Sequence, residues 1–557
     1  MGLSLLQDRM RGIMIQLQTK FSRQVDEHNV LPEYPRPSLV RTSYLNLNGR
    51  WECAFSKTPE IPLSFDLSIL VPFSPECQLS GVSRQLKPGE YLWYRRIIPL
   101  AKPQQDKRIL LHFGAADQTA EVFVNRISAV RHCGGYLPFS ADITDYLQEG
   151  DNELIVRIQD ESNTSWHARG KQSLKPGGMF YTAQSGLWQT VWMEIVPVNY
   201  IEQIFYHTDY DQGLVHLKVL TQHSAPVECV ISGKDMEPVC INGMTNSELI
   251  VSLPDFHPWT PEDPFLYLVS LKSGVDRVSS YFAMRKCDIQ TAPDGTQRFF
   301  LNNKPYFQAG VLDQGYWPES LYTAPTDEAL TADISRMKKL GFNMLRKHAK
   351  IEPERFYYHC DQLGMLVWQD MVNGGSAYKH WFVTYLATLM NWNHISFSDD
   401  EKHAGLLSRL HPEGKDEFRR EITETIAFLY NHPSIVVWVP FNEGWGQFDA
   451  LAACEQIRTL DSSRLVDHAS GWFDQKGGDI LSLHYYFLKL KFKPESKRAA
   501  ALTEFGGYSL SIPGHSCCKK VYGYKKFNST GALTYGYIDL IRQTILPAVK
   551  KGIVTLD

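Results

Sequence analysis

The amino-acid sequence predicts a multidomain fold: an N-terminal β-sandwich, an immunoglobulin-like β-sandwich and a C-terminal (β/α)8 TIM barrel. Three observations carry this expectation. The chain has 557 residues, 43% hydrophobic and 21% charged, which is an ordinary globular composition and, at about 150 residues per domain, enough for roughly three or four cores. Its first half is filled by short alternating segments broken by turn residues, the signature of antiparallel strands. After about Thr291, apolar runs of strand length alternate with helix-period stretches, as in parallel β/α units.

Residues 1–197 are read as a lead and the first sandwich. Met1 to Val30 reads as a mixed-charge helical lead in which Arg9, Arg11, Lys20 and Arg23 interrupt every apolar run, so it is not a secretory signal. Strands are expected at 91–99, 108–113, 120–124, 153–158 and 187–196, with clean alternation in 120–124. Residues 198–290 carry a second series, at 213–220, 226–231, 248–253, 265–271 and 278–284. That length suits one immunoglobulin-like sandwich.

Residues 291–557 are long enough for the about 250 residues of a closed barrel. Barrel strands are expected at 306–309, 342–345, 365–368, 435–439, 465–466, 480–483 and 499–503. The eighth falls to 552–556, with no helix after it, so the expectation is either a minimal barrel or a truncated one at that end. Thr326 can cap a helix with Asp327 and Glu328 in its first turn and Lys338 and Lys339 before Gly341, in the order the macrodipole favours. The next helix starts near Pro353, buries Phe356, Cys360 and Leu363, and stops at Gly364. A further helix is expected over 538–550. The stretch 371–414 is too long for an ordinary βα loop and is expected to be functional or to carry helices of its own.

Composition also excludes some functions. Lys plus Arg number 57 against 61 Asp plus Glu, so there is no cationic excess for nucleic acid. No run approaches the ~18 apolar residues that cross a bilayer, and a cytoplasmic location is expected. The ten cysteines form no CxxC pair and read as reduced thiols. His394, His403 and His411 lack metal-ligand spacing, and no metal set is expected.

Catalytic groups of a β/α barrel stand at the C-terminal ends of its strands. The run 435–441 ends in Asn442 and Glu443, and the run 499–503 ends in Glu504 before Phe505-Gly506-Gly507. Burial raises the pKa of such a carboxyl, as a general acid requires. Two of them across one barrel mouth can cleave a glycosidic bond, one protonating the leaving oxygen and the other attacking the anomeric carbon. Either one alone is equally explained as a structural carboxylate; the pair favours chemistry.

The motifs Phe441-Asn442-Glu443-Gly444-Trp445 and Thr503-Glu504-Phe505-Gly506-Gly507 resemble the acid/base and nucleophile motifs of glycoside hydrolase family 2, which contains β-galactosidases, β-glucuronidases and β-mannosidases. Asn48-Gly49-Arg50-Trp51 and Ser185-Gly186-Leu187-Trp188-Gln189 resemble its first domain, so the likeness covers nearly the whole chain. It implies that the first sandwich is a jelly-roll sugar-binding domain, that Glu443 is the acid/base and Glu504 the nucleophile, and that Asn442 meets the sugar 2-hydroxyl. Retention then requires carboxyl groups about 5 to 5.5 Å apart.

The same resemblance makes Arg346 the residue that orients the nucleophile, a structural ion pair being the alternative. His348 follows it by two residues, where many members have three. Of His484-Tyr485-Tyr486, Tyr485 is expected to donate to the nucleophile, with His484 second. Asp370 and Asp467 either bind sugar hydroxyls or are structural, and Trp445 is the aromatic residue expected to contact sugar, ahead of Tyr378, Trp381 and Trp392. The family's strand-eight Trp has no counterpart, since no Trp follows Trp472. The implied activity is that of a retaining exo-β-glycosidase without an organic cofactor, acting on a carbohydrate substrate and first of all on β-galactosides. Alternatives are a β-glucuronidase or β-mannosidase of the same family, or a non-catalytic carbohydrate-binding protein on this scaffold. Kinship also suggests a homo-oligomer.

Overall fold

A computed structural model describes residues 17–557 apart from 102–104, 394, 487–489, 491, 517 and 519–520. Residues 1–16 of the expected lead, His394 and Cys517 therefore lie outside the described residues. The rest of the lead contributes one 3-10 turn, Lys20–Gln24, which buries Phe21.

The first sandwich faces a six-stranded antiparallel sheet against a four-stranded one. The order in the larger sheet is Leu67–Val71, Gly49–Ser56, Tyr91–Leu100, Gly150–Gln159, Thr119–Val124 and Ile127–Cys133. The smaller sheet holds Tyr44–Asn46, Val191–Pro197, Lys107–Phe113 and Phe139–Asp142. Inward residues of both, among them Trp51, Leu111, Val122, Val156 and Met193, form the core. The single strand expected over 187–196 is two: Gly186–Leu187 pairs with Ala116–Asp117, and Val191–Pro197 joins the smaller sheet. The break lies at Trp188, a fully buried ring whose Nε1 donates to Gly135 O at 2.7 Å.

The second sandwich packs Ile201–Asp209, Leu214–Thr221 and Glu248–Ser252 against Val239–Met244, Pro226–Ser232, Tyr267–Ser273 and Asp276–Phe282. Ile201–Asp209 and Val239–Met244 are additional to the sequence expectation. The second has no fully buried position, so it lacks the apolar face that marks a strand. Arg41 joins the two sandwiches: its guanidinium gives 3.0 and 2.9 Å bonds to Asp276 and a 3.3 Å bond to Glu194.

In the barrel, eight parallel strands are ordered five-four-three-two-one-eight-seven-six: Leu465–Val466, Ile435–Val439, Leu366–Asp370, Met344–Lys347, Gln308–Asp313, Ile553–Leu556, Ala499–Phe505 and Ile480–Tyr485. The eighth strand pairs with both its neighbours. Strands five and six are linked by Asp479, whose N–H donates to Val466 O and whose carboxylate accepts from Val466 N, both at 2.8 Å. Strand one begins at Gln308, later than expected, because Tyr306 still follows the separate antiparallel sheet of Lys304–Pro305, its N–H donating to Phe299 O at 3.0 Å.

Thr326 caps Asp327–Lys339 by accepting from Ala329 N, and Glu354–Leu363 ends at the left-handed Gly364. The last helix starts well before 538, at Thr530, because Ser529 caps it, and it continues through a wider turn, Ile541–Ile545, into Leu546–Lys550. The stretch after strand three carries its own helical turns, Trp381–Leu386 and Ala387–Trp392. Among the described residues no helix is long and apolar enough to cross a membrane.

Candidate active site

Strand four delivers Glu443 and strand seven delivers Glu504 to the same end of the barrel. One carboxylate oxygen of each, with a ring nitrogen of His484, lie within 4.8 Å of one another. Glu443 is buried and sits in the left-handed region at φ 50°, where its N–H donates to Ser470 O at 2.9 Å. That conformation costs a non-glycine residue about 1 to 3 kcal/mol and is met by over-determined surroundings at functional sites.

Around Glu443, His484 Nδ1 lies 2.7 Å and the Tyr486 hydroxyl 3.1 Å from Oε1, and Trp445 Nε1 lies 3.4 Å from Oε2. Burial pushes this carboxyl up, but the His484 hydrogen bond and charge outweigh it, Lys171 and Trp445 act in the same direction, and the group is held at about 2. This corrects the expectation of a burial-raised acid: the donors around Glu443, and not its depth, decide its proton affinity.

Glu504 accepts from Arg346 Nη1 at 3.4 Å on one oxygen and from the Tyr486 hydroxyl on the other. Arg346, fully buried, is itself locked by two bonds to Asp370 at 3.0 and 2.9 Å, by Thr503 O at 3.1 Å and by Asn442 Oδ1 at 2.8 Å. The bidentate pair fixes the plane of the guanidinium. Burial opposes its charge, and Asp370, Glu504 and Asp557 outweigh burial to raise its pKa.

Asp370 gives both oxygens to this network, since His348 Nδ1 lies 2.6 Å from Oδ2. It therefore positions Arg346, and His348 in turn holds Asp370. Asp467 accepts from Ser482 at 2.8 Å and belongs to a buried hydroxyl chain with Ser470 and Thr503.

Tyr485 does not enter the site. It packs with Leu481 and Leu483 against the outer helices, and Tyr486 is the residue that bonds both acids. The reason is strand alternation: residues two apart share a face, so the strand that turns Ser482 and His484 inward turns Tyr486 inward too. His484 lies between the acids, 2.7 Å from Glu443 and 3.8 Å from Glu504. Its ring occupies the space where a side chain on Gly471 would begin, within 2.5 Å of the ideal Cβ position.

A cavity of about 1010 Å³ opens onto Glu443, Trp445, Trp472 and Tyr486. Part of its wall comes from the first sandwich, through Asn163, Arg169, Gln172 and Phe180; Tyr378, His380 and Tyr385 of the long loop face them. The wall segment is sewn to the barrel by Arg169 N and Gly170 N, both donating to Asn373 O at 3.0 Å, and Gly170 at φ 58° passes where a Cβ would lie 2.4 Å from Ala349 O. Trp381 and Trp392 are exposed, whereas Tyr378 stands edge-on to Trp445. Lys171 Nζ lies 5.6 Å from the Trp445 ring centre. Sequence reasoning missed Tyr486, Lys171 and Tyr524, which stacks on Tyr486 at 4.0 Å.

Residues 295–544 match the family model for the glycosyl hydrolases family 2 TIM barrel domain, and residues 80–192 match that for the family 2 sugar binding domain. A β-galactosidase of Thermoanaerobacter pseudethanolicus is 25% identical over 441 residues, covering 75% of this chain and 54% of that protein. The β-glucuronidase of Homo sapiens is 24% identical over 451 residues, covering 71% and 63%. The chain thus spans under two thirds of these relatives' length. In three dimensions it is similar to a β-D-glucuronidase of Dictyoglomus thermophilum, with TM-score 0.70, 18% identity and coverage of 94% and 91%. It is also similar to a β-galacturonidase of Eisenbergiella tayi, with TM-score 0.65, 18% identity and coverage of 94% and 90%.

Proposed function

Because the chain belongs to glycoside hydrolase family 2, we propose that it is a retaining exo-β-glycosidase acting on terminal β-linked sugars. The observation that carries this reading is the approach of Glu443 and Glu504 to within 4.8 Å, with the Tyr486 hydroxyl between them and within hydrogen-bond reach of each. Inverting enzymes hold their carboxyls about 6.5 to 9.5 Å apart to admit a water, and retaining ones about 5 to 5.5 Å.

Glu504, oriented by Arg346 and Tyr486, attacks the anomeric carbon as the proton shared between His484 Nδ1 and Glu443, 2.7 Å apart, passes through Glu443 to the departing glycosidic oxygen. The bond to the aglycone breaks and an ester to Glu504 forms. Glu443 then takes a proton from water, whose oxygen attacks the same carbon and releases Glu504. Asn442 already accepts from Arg346 through Oδ1, so its amide nitrogen is the group it offers to a sugar hydroxyl.

Terminal β-galactosides are the first reading of the glycone. A β-uronide is the second, and one observation favours it: Arg169 and Lys175 line the cavity, Lys171 stands beside Trp445, and among the described lining residues Glu443 is the only acid.

A panel of nitrophenyl β-glycosides tests the proposal. Release from at least one, lost in Glu504→Gln, with the β-anomer as first product by NMR, is the expected result. A first product of α configuration would refute retention, and binding without turnover would favour the carbohydrate-binding protein.

A further inference from the structure

Cys133, His167 and Glu417 are far apart in sequence and come together where the first sandwich meets the barrel. Cys133 ends the strand Ile127–Cys133, His167 follows the turn Ser162–Thr164, and Glu417 lies on the helix Pro412–Leu429. Cys133 Sγ is 4.0 Å from His167 Nδ1 and 3.8 Å from Glu417 Oε2, and these two atoms are 2.6 Å apart.

From these separations the point equidistant from all three atoms lies about 2.1 Å from each, against zinc bond lengths of about 2.0 to 2.3 Å to nitrogen, oxygen and sulfur. Tetrahedral spacing asks that the His167–Glu417 pair open to about 3.4 Å and that the sulfur close to about 3.6 Å from each, shifts of a few tenths of an ångström to under 1 Å. The carboxylate is already aimed: Ala168 N–H donates to its Oε1 at 3.2 Å, which leaves Oε2 facing the thiol and the imidazole. Such outer bonds orient metal ligands.

A second observation is a buried carboxyl oxygen without a hydrogen-bond partner beside this group. Glu421, one helical turn beyond Glu417, is 8% exposed, and its Oε1 has no hydrogen-bond partner among the described residues. That oxygen lies against Gly134, next to Cys133. A thiol, an imidazole and a carboxylate converging on a half-buried junction form a mixed sulfur, nitrogen and oxygen donor set suited to a borderline divalent ion, with the Glu421 carboxyl one helical turn away.

We infer that Cys133, His167 and Glu417 bind one zinc-type divalent cation, a site separate from the glycosidase centre, that ties the first sandwich to the barrel. Binding displaces the Cys133 thiol proton and the proton held between His167 and Glu417, and leaves a fourth position for water. His167 stands two residues before Arg169 of the cavity wall, so the ion anchors the segment that forms that wall.

The test uses the full chain stripped with a chelator and titrated with Co2+ or Zn2+. One equivalent of Co2+ is expected to give a thiolate charge-transfer band that is lost in Cys133→Ser and needs at least tenfold more metal in Glu417→Gln. Zn2+ is expected to raise the melting midpoint of the wild type and not that of Cys133→Ser. Because Glu443, His484 and Glu504 also approach one another, Glu504→Gln is included and is expected to keep the band. Absence of a thiolate band, its survival in Cys133→Ser, or its loss in Glu504→Gln would overturn the inference; if Cys133→Ser does not fold, an unchanged titration of Glu417→Gln does so. None of these results bears on glycoside turnover, so the two readings fail separately.

Discussion

His484 Nδ1 lies 2.7 Å from Glu443 Oε1, so the acid/base candidate is hydrogen-bonded to an imidazole before any sugar arrives. With His484 removed, the largest counterweight to burial is lost and the Glu443 pKa rises from about 2. In His484→Gln the protonated acid persists to higher pH, and the limb of kcat/KM that falls with rising pH moves in the alkaline direction. A pH–rate profile checks this; an unmoved limb means that His484 does not control Glu443.

Tyr486 and Tyr485 separate cleanly by mutation. Tyr486→Phe removes the hydroxyl that stands between the two carboxylates, a loss of about 1.5 to 3 kcal/mol for a bond to a charged group, or roughly 10- to 100-fold in kcat. Tyr485→Phe alters packing under the outer helices and should leave kcat within about twofold. Equal effects in steady-state assays would reject the assignment.

Much of this arrangement was legible in the sequence, for definite reasons. Glu443 and Glu504 stand out because each ends an uninterrupted apolar run, and strand ends in a barrel point one way. Tyr486 was legible too, through the two-residue period it shares with His484, but the family resemblance points only to a Tyr at the end of that strand, and Tyr485 was the expectation. Lys171 and the Cys133–His167–Glu417 cluster were not legible, because a contact between domains leaves no local period or spacing. The strand Val239–Met244 was hidden by its half-exposed faces.

Arg346 and Asp370 form a buried pair at 3.0 and 2.9 Å. Arg346→Met takes the guanidinium from the buried Asp370 and leaves it only its contact with His348, at a cost of up to about 3 to 5 kcal/mol. Denaturant titration should show a lower midpoint together with lost activity, whereas an unchanged midpoint would mean that the barrel relaxes around the deletion.

Glu194 couples stability to pH. Burial pushes its carboxyl up, but Arg36, His112 and Arg41 outweigh burial and hold it at about 2. A lowered folded pKa contributes stability that is fully present above the unfolded value, about 4.3, and is lost as pH falls toward 2. Thermal melts between pH 5 and 2 should steepen in the wild type and flatten in Glu194→Gln.

Lys171 reports on the glycone. If the substrate is a β-uronide, Lys171→Met should lower kcat/KM for the nitrophenyl uronide by about tenfold or more, through loss of a charge-assisted contact, and change that for the neutral glycoside less. Equal losses on both sugars would remove the support for an acidic glycone.

Asn373 O, which receives Arg169 N and Gly170 N together, has a consequence for any attempt to shorten the protein. A barrel cut free near residue 291 would keep both carboxylates yet expose them to bulk solvent on the flank that Asn163, Arg169 and Phe180 now close. The smallest working fragment is therefore larger than the domain that carries the acids, and loop redesign of specificity has to treat the amino-terminal sandwich as part of the binding pocket.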